Sequence, residues 1–225
     1  MGETAFHNKE FKIWGNKMSK DSVALIGLHW NDAIKGKTVF DKMENVWVLN
    51  DWYQFYRWLK KPKKIFNIHE HPFTHPSPDR FTGDWKAEYN KTGAEVVVFN
   101  EGMTGVNNQR MLEWEELEGV FPRKAYQCSL VCMMAVAMLE GMKEIYIFGF
   151  SLSEAEYDRE LLPTLAAIKE ARRRGVVVHN PNEEEWNEKA KPATVAWGEI
   201  HDFIYYMFKD RGVQKVDTSI FEPKK

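Results

Sequence analysis

Apolar residues along the chain gather into short unbroken runs, separated by longer stretches with helical spacing. The runs are Ser22 to Gly27 (SVALIG), Val46 to Asn50 (VWVLN), Lys64 to Ile68 (KIFNI), Glu95 to Phe99 (EVVVF), Glu144 to Phe150 (EIYIFGF) and Val176 to His179. Continuous rather than alternating apolar character is expected of strands covered on both faces, as in a parallel sheet held between helices. The intervening pattern predicts an aromatic-rich helix over Trp52 to Lys60, a strongly apolar one over Tyr126 to Leu139, and a third over Asp158 to Arg174. A fourth, amphipathic, is predicted over Val195 to Phe208. Strand and helix signals alternating in this way specify an α/β protein: a Rossmann-like three-layer fold with a mostly parallel central sheet of about six strands.

Two regions break the rhythm. Glu70 to Asp84 (EHPFTHPSPDRFTGD) holds three prolines and a glycine, and reads as a long, lid-like loop. The charged end of the chain, 211–225, reads as a tail beyond a single domain over 1–210. Arg172, Arg173 and Arg174 close the third predicted helix, where cations suit the dipole, and Gly175 supplies a cap. They read as structural rather than as a phosphate clamp.

Composition narrows the function classes. With 31 basic and 33 acidic residues the net charge is -2, so the basic excess of a tight nucleic-acid binder is missing. The local stretch Arg57 to Lys64 reads as a solvated helix end followed by a turn. No apolar run is long enough to span a bilayer, and the first residues have neither a signal-peptide core nor a myristoylation pattern. The two cysteines, Cys128 and Cys132, stand four apart on one apolar helix face, a poor geometry for a disulfide. They read as reduced packing residues of a cytoplasmic protein. Nine tryptophans, most in polar surroundings, suit either a lined cleft or a homo-oligomer surface.

In open α/β sheets, ligands bind outside the carboxyl ends of the strands, where the strand order reverses. The residues that follow each run are therefore the candidates: Gly27, His29 and Asn31 after the first, and Asn50 and Asp51 after the second. His69 and His71 follow the third, and Ser151 the fifth. The glycine spacing of a dinucleotide fingerprint is absent, as is the phosphate loop of ordinary ATPases. His69 and His71, two apart, would face one way; with Glu70 and His75 they suit loop hydrogen bonds, acid–base chemistry or a metal. His179, which closes the sixth run, is a further candidate base.

Two stretches carry a family resemblance. YQCSLVCMMAVAMLEGMKEIYIFGF, Tyr126 to Phe150, resembles the serine-bearing helix and following strand of bacterial sialyltransferases of glycosyltransferase family 42 and the related motility-associated flagellin glycosyltransferases. VWVLNDWYQFY is similar to that family's second strand and its Asn-bearing turn, and SVALIGLHWND occupies the place of its glycine-rich loop. Similar sequences also occur among bacteriophage proteins, which would place the chain in a host cytoplasm. The resemblance implies a glycosyltransferase that uses a CMP- or UDP-linked sugar without a metal. Asn50 would contact the nucleotide or its phosphates, Ser129 with the backbone near Cys128 would contact the donor, and Gly27 would let the chain approach it. The acceptor would lose its proton to a histidine, with His179, His69 and His71 as candidates. A nucleotide-sequestering binder without turnover and a metal-dependent nucleotide or sugar-phosphate hydrolase are the competing expectations.

Overall fold

A computed structural model describes residues 18–50, 52–56, 58–59, 61–68, 84–99, 103–152 and 158–193. Seven strands form one sheet: β1 (Ser22–Ile26), β2 (Asn45–Leu49), β3 (Lys64–Asn67), β4 (Glu95–Phe99), β5 (Gln109–Leu112), β6 (Glu144–Phe148) and β7 (Val177–His179). Their order is β5-β4-β3-β2-β1-β6-β7, and every pairing is parallel. The sheet therefore grows outward from β1 in one direction through β5, then restarts on the other side of β1 with β6. Among the described residues this reversal between β1 and β6 is the topological switch of the fold.

Alternate residues of each strand feed two cores. Val23 and Leu25 of β1 join Trp47, Phe66, Val97 and Ile147 on one face. That face is covered by α5 (Trp114–Glu118), α6 (Ser129–Leu139), α7 (Asp158–Arg173) and α8 (Glu183–Ala193). Ala24 and Ile26 join Val48, Ile65, Val98 and Phe148 on the other, beneath α1 (Trp30–Ala33), α2 (Lys37–Phe40), α3 (Trp52–Phe55) and α4 (Trp85–Thr92). Both faces of the inner strands are dry, which is why their sequences are apolar without alternation.

The expected layout is met, with one strand more than the six predicted. The additional strand, β5, has the sequence QRML and sits at the sheet edge, where a short, half-polar strand is stable with one neighbour. The helix predicted over Trp52 to Lys60 is a single turn ending at Phe55. There the chain turns so that the Tyr56 hydroxyl reaches the Gly27 carbonyl, 2.7 Å away, and this buried anchor overrides helix propensity. The helix predicted from Tyr126 begins at Ser129, because Cys128 is extended (φ -141°, ψ 161°). A helix not foreseen, α8, packs the buried Trp186 under the first face.

Six of the nine tryptophans have described side chains, and all six are at least partly buried. Trp47, Trp52, Trp85 and Trp186 are core residues, and Trp58 and Trp114 are half-buried. Asp84, the last residue of the predicted lid-like loop, caps α4 by accepting the Ala87 N–H at 3.0 Å. The rest of that loop, the predicted helix over Val195 to Phe208 and the tail 211–225 lie outside the described residues. Among the described residues no helix is long and apolar enough to cross a membrane.

Candidate functional site

The carboxyl ends of β1 and β6 are knitted together by their backbones. A Cβ added to Gly27 would lie 2.1 Å from the Gly149 carbonyl oxygen, and one added to Gly149 would lie 2.7 Å from the Gly27 oxygen. Gly149 also adopts a φ of 73°, a conformation that costs other residues. Gly27 N–H donates to the Phe148 carbonyl (2.8 Å) and His29 N–H to the Gly149 carbonyl (2.9 Å). The glycine at position 27 is thus already required by the junction itself, whatever it does for a ligand.

Two buried groups brace this junction from the α1–α3 side. Asp32, 3% exposed, accepts the Gly149 N–H at 2.6 Å, and Lys35 lies 3.5 Å from its other oxygen. The Tyr56 phenol, donating to the Gly27 carbonyl, is pushed well above its ordinary range by burial and next by the nearby Asp32 charge. A second tyrosine does the same work one strand over: Tyr89 donates to the Asn50 carbonyl at 2.9 Å and receives a contact from Asn67 Nδ2 at 3.3 Å. Gly27 and Asn50, the first residues past β1 and β2, therefore have carbonyls pinned toward buried phenols.

The N-terminus of α6 lies on the same crest by topology. Its other end, at Glu140, pairs with Lys64 (3.0 Å) and Arg110 (2.8 Å) at the amino ends of β3 and β5. The eleven-residue helix then runs back to Ser129 at the carboxyl side, about 16 Å away. Cys128 makes no side-chain cap, and its Sγ lies 3.1 Å from Thr164 Oγ1 on α7. Burial pushes the Cys128 thiol up to about 11 and raises that of Cys132 as well, so both are thiols rather than nucleophilic thiolates at neutral pH.

Of the residues expected from sequence, Gly27, His29, Asn31, Asn50, Ser151, Cys128 and Ser129 belong to the loops and helix start at the carboxyl side of the sheet. Asn50 is buried, His29, Ser129 and Ser151 are half-buried, and Asn31 is exposed. His179 stands apart from them. It is the last residue of β7 but pairs with Tyr146, in the middle of β6. Its ring stacks on Tyr146 (centroids 4.3 Å apart, planes 7° apart), and its Nε2 lies 2.9 Å from Glu144 Oε1 at the amino end of that strand. Ser22 and Tyr146 donate to the same carboxylate at 2.8 and 2.6 Å. Glu144 bridges this cluster, so the serine and histidine do not touch as a nucleophile and its base must.

Asp51, His69 and His71, with Glu70 and His75, lie outside the described residues. Among those described, no group of three His, Cys, Asp or Glu side chains could hold a metal ion. Asp32 lies in the turn after the first apolar run, among the positions expected to face a ligand but with no role of its own; Tyr56, Tyr89 and Gly149 were not among the candidates. A glycine inside the apolar run EIYIFGF does signal close backbone approach. Nothing local separates Asp32 from a solvated aspartate. The chain matches no protein-family model, no curated protein and no solved structure.

Proposed function

We propose that this protein binds a nucleotide across the carboxyl ends of β1, β2 and β6, as a glycosyltransferase-like protein taking a CMP- or UDP-linked sugar. The observation that carries the reading is the reversal of strand order between β1 and β6, the point at which open parallel sheets accept ligands. Asn50, buried at the end of β2, and Ser129, at the start of α6, would contact the nucleotide and the donor, with the partial positive charge of that helix start favouring negative groups. His69 and His71, which follow β3 in sequence, are the proposed bases for the acceptor hydroxyl. A second reading, a binder that holds the nucleotide without turnover, is favoured by the commitment of His179 to Glu144 away from the crest.

A thermal-shift panel of cytidine and uridine mono- and diphosphates tests the binding step. A ligand at one hundred times its dissociation constant adds about 2.7 kcal/mol, an easily visible rise. The expected result is a saturable rise with one base, weakened at least about tenfold in Asn50→Ala and Ser129→Ala, since each loses polar contacts worth about 1.4 kcal/mol or more. A flat response across the panel overturns the reading. Turnover of the matching nucleotide sugar then separates the transferase from the binder.

A further inference from the structure

The junction of β1 and β6 carries its own anion. The Gly149 N–H, at the end of β6, donates 2.6 Å to Asp32 Oδ2, and the carboxylate is 3% exposed. Its surroundings include the backbone of Gly149 and the Lys35 ammonium at 3.5 Å, and its charge adds to burial in raising the nearby Tyr56 phenol, burial being the larger cause. In nucleotide-binding sheets of this topology, phosphate takes backbone N–H groups at the switch point, aided by the dipole of the first helix. Here the N–H at that point is already given to a side chain. The first helix, α1, runs on through a 3-10 turn (Ile34–Gly36) into α2, and Asp32 stands in its first turn, where its charge already answers the positive end of the helix dipole. A phosphate placed beside Gly149 would meet a like charge in surroundings too dry to screen it well.

We infer that Asp32 is a specificity-determining residue that bars phosphate from the β1–β6 junction, so a bound ligand presents an uncharged group there and carries its phosphates elsewhere. In the proposed nucleotide site, that assigns the junction to ribose, base or sugar hydroxyls and leaves the phosphates to the α6 side. The identity of the ligand rests on the nucleotide reading; the exclusion of an anion does not.

The test follows the Gly149 backbone amide by NMR in the full chain, with inorganic phosphate as the probe. In the wild-type protein the resonance should stay still up to tens of millimolar phosphate. In Asp32→Asn, which keeps the shape and an acceptor oxygen, it should titrate, with half-saturation at least about fivefold below the highest phosphate concentration at which the wild-type resonance stays still; Asp32→Ser serves if the amide variant does not fold. A wild-type Gly149 amide that titrates with phosphate overturns the inference. So does a silent one in both the wild type and a folded variant, because something other than Asp32 then excludes the anion. Cytidine, uridine, CDP and UDP are titrated in parallel. If none of them binds the wild-type protein, the nucleotide reading fails while the phosphate comparison still decides the role of Asp32.

Discussion

Residue by residue, the most constrained positions are the two glycines where β1 and β6 end. Their carbonyls and α-carbons approach so closely that a methyl group has nowhere to go: 2.1 Å to backbone oxygen from position 27 and 2.7 Å from position 149. Gly27→Ala and Gly149→Ala should each lower the unfolding free energy by about 2 kcal/mol or more, the second with an added left-handed penalty. Gly141 also has a positive φ, 78°, but faces open space, so Gly141→Ala should cost only about 1 kcal/mol. Urea denaturation of the three variants separates the two causes. The cysteines make a second residue-scale prediction. With its thiol raised to about 11 by burial, Cys128 should resist Ellman's reagent at pH 8, as should Cys132; both should react in denaturant. Rapid labelling of the native protein would contradict this packing.

Among the elements, α7 shows how a helix end is held by charge. Arg173 and Arg174 both reach Glu170, at 2.7 Å each, while Arg172 binds Glu183 of α8 and the Val178 carbonyl of β7. Burial disfavours the Glu170 charge, yet the two guanidiniums hold its carboxyl below the usual range. A carboxyl depressed by folding contributes stability that is present above its unfolded value, about 4.3, and lost as the pH falls through the folded one. Glu170→Gln should therefore be less stable at pH 7 and show a flatter acid limb, read from unfolding free energies between about pH 7 and 3. Glu144 has the same sign: burial opposes its charge, and hydrogen bonds from Tyr146, Ser22 and His179 overcome it. The three arginines were legible as structural from their place at a helix end. The partner of Arg172, Glu183, was not, because α8 lies ten residues on, beyond a strand and a turn.

For the whole molecule, stability should be graded across the sheet. β1 is bonded on both sides, to β2 and β6, and its residues are fully buried. β5 and β7 are edges with one described neighbour each, and Met111 and Val177 are about half exposed, at 51% and 52%. Amides of β1 and β6 should exchange with solvent only through global unfolding, and those of β5 and β7 faster by at least about tenfold; uniform protection by hydrogen–deuterium exchange would contradict the grading. Six of the seven strands and the three-layer α/β class were readable directly from the chain, because burial on both faces leaves an unbroken apolar run in the inner strands and the edge strand β7 is itself short and apolar. The edge strand QRML escaped, since its stability comes from β4 beside it and not from its own composition. The crest residues were readable as a set, because topology places whatever follows a parallel strand at one side of the sheet. Which of them meet was decided only by the tertiary structure. A hydrogen bond from Gly149 to Asp32, or the pairing of His179 with Glu144, joins residues 117 and 35 positions apart, and no local pattern encodes a contact that the strand order alone brings about.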